Sequence, residues 1–165
     1  MTEKTEKNLS TALADASRWA ARNQTFAQKA DHEGQATTAR LFRALAEADA
    51  VQARRYLALL RGKIGTTEDN LEEAWRHSAS AAKEDLQRTE EALEENHSAA
   101  VSAFSQSRQA KDCHTALIRG LKEDLSSNTD LDYYVCQICG YISKSRVPDR
   151  CPVCGAIPGK FKWIG

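Results

Sequence analysis

The feature that most constrains the fold is the uneven placement of residues that interrupt helices. All three prolines (Pro148, Pro152 and Pro158) lie near the C-terminus, and four of the eight glycines follow position 139. The preceding part is rich in alanine, leucine and long charged residues, which have high helix propensity. The sequence therefore predicts a mainly α chain, with helices over residues 1–128, a compact turn-rich module over residues 131–165, and the polar stretch SSNTD between them.

Three interruptions divide the long part into four predicted helices. They fall at residues 32–34, 61–65 and 95–98, and Ser98 is a predicted helix start because its side chain can cap. Apolar residues between the interruptions recur at spacings of three and four, which is typical of amphipathic helices. Helices of roughly 25 residues suit an antiparallel four-helix bundle. The predicted inner stripe of the second helix consists of Leu41, Leu45, Gln52, Tyr56 and Leu59.

A weak internal repeat relates the two halves of this helical part, with a constant offset in residue number. Asn8–Leu9 recurs as Asn70–Leu71, Phe42 recurs as Phe104, and Leu59 recurs as Leu121. The first and second helices then correspond to the third and fourth. That arrangement is typical of bundles that bind metals at a pseudo-twofold axis.

Four of the five cysteines form two Cys-x-x-Cys pairs, Cys136 with Cys139 and Cys151 with Cys154, on either side of the segment 140–150. Each pair makes a tight turn that presents two thiolates together, and a glycine follows each pair where the turn needs unusual backbone angles. The spacing predicts a tetrahedral metal site, occupied by structural zinc or a redox-active iron. Two structural disulfides are the alternative, which a reducing compartment disfavours.

The cysteine module is too short to fold on apolar burial alone, because domains under about 40 residues usually need a metal or disulfides. We therefore expect its folding and metal binding to be one event. The fifth cysteine, Cys113, lies in the fourth predicted helix and is expected to be a buried, unreactive thiol. The aromatic residues that can build a small cluster around the metal are Tyr133, Tyr134, Tyr141, Phe161 and Trp163.

The segment YVCQICGYISKSRVPDRCPVCGAIPGKFKW resembles the rubredoxin module at the C-terminus of rubrerythrins. NLSTALADASRWAARNQTFAQKADHEG is similar to the first helix of that family, and GTTEDNLEEA is similar to the entry to its third helix. The resemblance implies a ferritin-like four-helix bundle followed by a rubredoxin-like module. It also implies one iron per chain in four cysteine thiolates, with zinc as a possible substitute.

Rubrerythrin bundles hold two irons and reduce hydrogen peroxide, using glutamates and two Glu-x-x-His motifs. Only two of the corresponding positions here, Asp49 and His114, retain metal-binding chemistry, and one carboxylate cannot neutralise two irons. We therefore expect neither the diiron site nor its peroxidase activity. We hypothesise that a neutral polar cluster replaces the diiron site. In this cluster Lys111 pairs with Asp49, and the remaining hydrogen bonds are made by Gln52, Ser78 and His114. The corresponding positions are Ala16, Asp49, Gln52, Ser78, Ala81, Lys111 and His114.

The expected function is one-electron transfer through the four-thiolate iron, with the bundle as a scaffold for dimerisation. The resemblance implies a homodimer arranged head to tail, and the missing diiron acceptor implies an unidentified redox partner protein. Two alternatives stay open from the sequence: a non-haem diiron peroxidase with a rearranged ligand set, and a structural zinc-ribbon interaction protein.

Charge and hydropathy narrow the environment of the chain. The 23 basic and 23 acidic residues balance, so no nucleic-acid partner is expected. No stretch approaches the roughly 18 apolar residues of a membrane helix, and MTEKTEKNLS lacks a secretory core, so we expect a cytoplasmic protein without a membrane partner. The basic excess of the cysteine module indicates an acidic docking face on its partner.

Overall fold

The computed structural model describes residues 2–60, 62–123 and 131–165, which fall into two compact units, residues 1–66 and 67–165. The predicted join at SSNTD lies outside the described residues. None of the helices in these ranges has the length and hydropathy of a membrane span.

Four helices occupy the long part of the chain, and their ends confirm the three predicted interruptions. The first unit is an antiparallel pair, and the second unit holds another pair followed by the cysteine module. The helices are α1 (Glu3–His32), α2 (Ala36–Leu59), α3 (Thr67–Glu94) and α4 (Ser98–Glu123).

The turns that close the two helical pairs have the same geometry at positions that the repeat relates. Gly34 has φ of +73°, and its N–H donates to the carbonyl of Asp31 at 3.0 Å. Asn96 has φ of +56°, and its N–H donates to the carbonyl of Leu93 at 3.0 Å. Glycine and asparagine are the residues that adopt this left-handed conformation most readily. The turns therefore support the repeat.

The side-chain cap of α4 differs from the prediction. Ser98 begins the helix, but the acceptor at its N-terminus is His97, whose Nδ1 accepts from the N–H of Ala100 at 3.2 Å. The side chain that caps α4 is therefore His97 and not, as predicted, Ser98.

The first helical pair is joined by a seam of alanines, and the predicted inner stripe of α2 is wrong at four of its five positions, since only Tyr56 is half-buried. Leu41, Leu45 and Leu59 are 59%, 43% and 61% exposed, and Gln52 is also exposed. Alanine side chains allow two helix axes to approach closely, so the small residues rather than the large ones meet across the pair. The buried alanines are Ala16, Ala27 and Ala30 on α1, and Ala39, Ala46 and Ala53 on α2.

The cysteine module is a three-stranded antiparallel sheet in the order β2–β1–β3, with a 3-10 turn at Pro158–Lys160. Four of the five predicted cluster aromatics are half-buried, whereas Trp163 is 57% exposed and its Nε1 donates to Asp132 at 2.8 Å. The sheet brings the first cysteine of the motif to the end of its central strand. The strands are β1 (Tyr133–Cys136), β2 (Ile142–Lys144) and β3 (Phe161–Ile164).

Candidate metal centre

The four paired cysteines converge on one point. Their sulfur atoms all lie within 4.8 Å of one another, and none forms a disulfide. The sulfur of Cys136 lies 3.7 Å from that of Cys154, and the sulfur of Cys139 lies 3.5 Å from that of Cys151. Four thiolates about 2.3 Å from a tetrahedral metal stand about 3.8 Å apart, whereas a disulfide needs about 2.05 Å. The arrangement therefore fits a single tetrahedral ion rather than two disulfides.

Two equivalent turns hold the ligands. In the first, the N–H of Cys136 donates to the carbonyl of Tyr141 at 2.9 Å, and the N–H of Gly140 donates to the carbonyl of Cys136 at 2.9 Å. The second turn repeats this pattern, and there the N–H of Gly155 donates to the carbonyl of Cys151 at 2.8 Å. Gly140 and Gly155 have φ of +76° and +73°, which explains why the sequence has glycine after each pair.

Backbone N–H groups of these turns point at the sulfur atoms. Burial acts to raise the pKa of Cys136, but N–H groups of Cys139 and Ile138 donate to its sulfur and bring its pKa below the ordinary value. Burial raises the pKa of Cys139 and of Cys154, although the N–H of Tyr141 donates to the Cys139 sulfur. A bound cation removes these protons, since thiolates are the metal-binding form.

The donor set fits iron and zinc alike. Four thiolates in a closed tetrahedron suit a structural zinc ion or a single iron, and Cys136, Cys139, Cys151 and Cys154 are the residues that would hold it. Cys136 and Cys151 are buried, whereas Cys139 and Cys154 are half-buried. The shortest path from the centre to solvent therefore runs through the second cysteine of each pair.

His114 contacts the metal module directly. Its Nε2 lies 2.9 Å from the carbonyl oxygen of Gly140, the residue after the ligand Cys139. Because a carbonyl only accepts hydrogen bonds, Nε2 carries the proton. Burial lowers the pKa of His114, the Gly140 carbonyl opposes that shift, and the charge of Lys111 adds to it. His114 was predicted to join a cluster at the former diiron site, and this bond was not foreseen.

Three of the positions that were matched to the family's diiron ligands, Ala16, Asp49 and Gln52, lie in the first unit. Ala16 is buried in the alanine seam, and Gln52 is exposed. Asp49 is half-buried and accepts a 2.9 Å hydrogen bond from Asn23 Nδ2. The carboxylate therefore already has a partner on the facing helix of its own pair.

The second unit has a polar cluster at the equivalent place. Asp85 is buried on α3, and it accepts from Arg88 at 2.7 Å and from the Ser107 side chain. Burial acts to raise the pKa of Asp85, but these hydrogen bonds and the charges of Arg88 and Lys111 bring it below the ordinary value. Ser78 is buried on the same helix. Lys111 therefore has a carboxylate neighbour within its own helical pair, and its predicted pairing with Asp49 stays a prediction.

Sequence reasoning missed Asn23 and Asp85, although a signal was present. Each lies two helical turns after a position that was matched to a diiron ligand, Ala16 or Ser78, and thus on the same helix face. The repeat also relates Asn23 to Asp85, just as it relates Asp49 to Lys111. A search of the repeat for polar positions would have found both.

Cys113 stands apart from the four ligands. It is half-buried on α4 and lines a cavity of about 530 Å³ with Leu117, Tyr133 and Tyr141. Burial raises the pKa of the Cys113 thiol, and nearby negative groups raise it further. Cys113 is thus less buried than predicted, and its lack of reactivity stays a prediction.

Comparison with known proteins agrees with this geometry. Residues 134–162 match the family described as "Rubrerythrin, rubredoxin-like domain". Nigerythrin from Nitratidesulfovibrio vulgaris is 27% identical over 164 residues, which cover 91% of this chain and 81% of nigerythrin. Rubrerythrin-2 from Clostridium acetobutylicum is 22% identical over 154 residues, which cover 83% of this chain and 84% of that protein.

A solved structure of nigerythrin in a mixed-valence state matches with a TM-score of 0.58 and 26% identity, covering 97% of this chain and 86% of that one. The match confirms the predicted fold class, a mainly α chain with ferritin-like helices followed by a rubredoxin-like module. With its four-cysteine site and its likeness to two relatives over most of their length, the chain is similar to proteins of the rubrerythrin family.

Proposed function

We propose that this protein transfers single electrons through one iron ion bound by Cys136, Cys139, Cys151 and Cys154, and that its helices have lost the diiron peroxidase site. The observation that carries the proposal is the spacing of the four sulfurs, which matches a tetrahedral tetrathiolate site. An iron ion in four thiolates supplies a one-electron ferrous–ferric couple.

The surroundings of the thiolates suit electron transfer. Backbone N–H groups donate to three of the sulfurs, which stabilises negative charge on them in both oxidation states. Ile138 and Ile157, each beside a turn, are 59% and 53% exposed. They would exclude water around the half-buried Cys139 and Cys154 when a partner docks.

The chemistry of the helices supports loss of the diiron site. Three of the former positions, Ala16, Ser78 and Ala81, offer no metal-binding group comparable to a carboxylate. Asp49 and Asp85 are each engaged by a side chain of their own helical pair. Lys111 adds a cation close to Asp85, and a cation opposes binding of further positive charge.

The proposal extends to the location, the oligomeric state and the redox partner of the protein. We propose a cytoplasmic homodimer, head to tail, that exchanges electrons with an external redox protein. The basic side chains of the module favour an acidic face on that partner. They are Lys144, Arg146, Arg150, Lys160 and Lys162.

The test is metal analysis of protein purified from its native host, with a visible spectrum before and after reduction and an assay of peroxide consumption. We expect one iron per chain, thiolate-to-iron absorption that bleaches on reduction, and peroxide consumption at the background rate. Two or more irons per chain with peroxide turnover would instead indicate a diiron peroxidase. Zinc without that absorption would indicate a structural zinc ribbon.

A further inference from the structure

A single peptide group connects α4 to the metal centre. Its carbonyl belongs to Gly140 and accepts from His114 Nε2 at 2.9 Å. Its N–H belongs to Tyr141 and donates to the sulfur of Cys139. The two hydrogen bonds therefore share one conjugated amide, in which electron density moves between nitrogen and oxygen.

The equivalent peptide of the second turn has the same two bonds. The carbonyl of Gly155 accepts from an Arg150 guanidinium nitrogen at 3.2 Å, and the N–H of Ala156 donates to the sulfur of Cys154. A side-chain donor thus stands behind each N–H–S hydrogen bond of the second cysteine. In the second turn that donor is local to the module, whereas in the first turn the helical part of the chain supplies it.

A donor at the carbonyl strengthens the bond at the sulfur. Hydrogen bonding to the oxygen draws electron density away from the nitrogen and makes the N–H more polar, an effect of about 10–30% per bond. The stronger donor favours the state with more negative charge on sulfur. A ferrous tetrathiolate centre carries one more negative charge than the ferric one.

We propose that His114 is a positioning residue of the metal centre: it polarises the Gly140–Tyr141 peptide, strengthens the hydrogen bond to Cys139, and thereby favours the reduced iron. The inference rests on the proposed iron centre. In this chain the histidine of the fourth helix thus serves the cysteine site of its own unit.

The test compares the iron reduction potential of the full-length protein with three variants. His114→Phe removes the donor, His114→Gln keeps an N–H at the position of Nε2, and His77→Phe alters an exposed histidine on α3 as a control. For His114→Phe we expect the ratio of reduced to oxidised iron at a fixed potential to fall about twofold to fivefold. This corresponds to about 18–41 mV at 59 mV per tenfold change. His114→Gln should restore most of the potential, and His77→Phe should leave it unchanged.

A second readout does not depend on iron. In zinc-loaded protein, the amide proton of Tyr141 should move upfield in His114→Phe, while the amide proton of Ala156 keeps its position as an internal reference. An unchanged Tyr141 resonance in a folded His114→Phe variant would overturn the proposal, as would equal potentials in the Phe and Gln variants. If native protein holds zinc, the proposed function fails, but the amide measurement still tests the role of His114.

Discussion

Asn23 Nδ2 on α1 donates a 2.9 Å hydrogen bond to Asp49 Oδ2 on α2. The internal repeat relates Asn23 to Asp85 on α3, and Asp49 to Lys111 on α4. The carboxylate therefore lies on the second helix of the first pair but on the first helix of the second pair. In the first pair the Asn23 amide donates to the carboxylate. In the second pair Arg88 and Ser107 donate to it, and the charges of Arg88 and Lys111 stabilise it. Each helical pair thus stabilises a carboxylate with side chains of its own.

The Asn23–Asp49 bond should contribute measurably to stability. We expect Asn23→Ala to lower the free energy of unfolding by about 1–3 kcal/mol, because it leaves the half-buried carboxylate without its donor. Urea denaturation followed by helical circular dichroism measures this change. Asn8→Ala, at an exposed position of the same helix, is the control and should change the free energy by less than about 0.5 kcal/mol. Equal effects of the two substitutions would contradict the assigned bond.

Asp85 should make the stability depend on pH at the acid end. Its folded-state pKa is depressed, so the folded state binds its proton less readily than the unfolded state. The resulting stabilisation is fully present above the ordinary carboxyl pKa of about 3.9 and is lost as the pH falls through the lower, folded value. We expect Asp85→Asn to lower the free energy of unfolding at pH 7 by about 1–3 kcal/mol.

The matched control for this prediction is Asp15→Asn, an exposed aspartate of α1. Urea midpoints measured from pH 7 to pH 2 should fall less steeply for Asp85→Asn than for the wild type. The Asp15 variant should follow the wild-type curve. If the urea midpoint falls equally steeply with pH in Asp85→Asn and in the wild type, the Asp85 carboxylate does not cause the loss of stability in acid.

The helix ends could be predicted from the sequence, whereas the buried seam could not. Gly34 and Asn96 break the helical pattern locally, so their positions are visible without tertiary information. The choice between Leu41 and Ala46 as the inward residue depends on how closely the two axes approach, which is a property of the pair. Periodicity found a stripe of large apolar residues, but close packing selected the alanine face.

The difference between local signals and tertiary contacts also decides which residues of the metal centre could be predicted. The four cysteines could be predicted because metal ligation fixes their spacing within two short turns. The bond from His114 to Gly140 joins residues that are 26 positions apart, in a helix and in a sheet module. No local pattern encodes such a contact. Asp85 could have been predicted only from the internal repeat, which relates it to Asn23.

Two glycine substitutions should have opposite effects. Gly140 has φ of +76° and Gly120 lies within α4, and a Cβ added at either position meets no atom within 4 Å. Gly140→Ala should therefore weaken the metal module by about 1–2 kcal/mol through backbone strain alone. Gly120→Ala should stabilise the helical part by about 0.5–1 kcal/mol. Thermal unfolding of the metal-loaded protein measures both, and a stabilising Gly140→Ala would contradict the left-handed turn.

Metal removal should unfold the cysteine module and leave the helices. The module has a small core, so its folding depends on the bound ion. After a strong chelator is added, the amide resonances of residues 131–165 should collapse to random-coil values, while the helical circular dichroism signal persists. Dispersed module resonances in metal-free protein would contradict this coupling. Cys113→Ser, which removes the cysteine outside the site, should bind metal like the wild type.

The central claim is that the chain binds one iron at the cysteines and none between its helices. Its most direct test is the iron content of wild-type and Cys139→Ser protein after anaerobic reconstitution with excess ferrous iron and removal of unbound metal. We expect about one iron per wild-type chain and close to none in the variant. Two irons retained by folded Cys139→Ser protein would contradict it, because they would have to be bound by the helices.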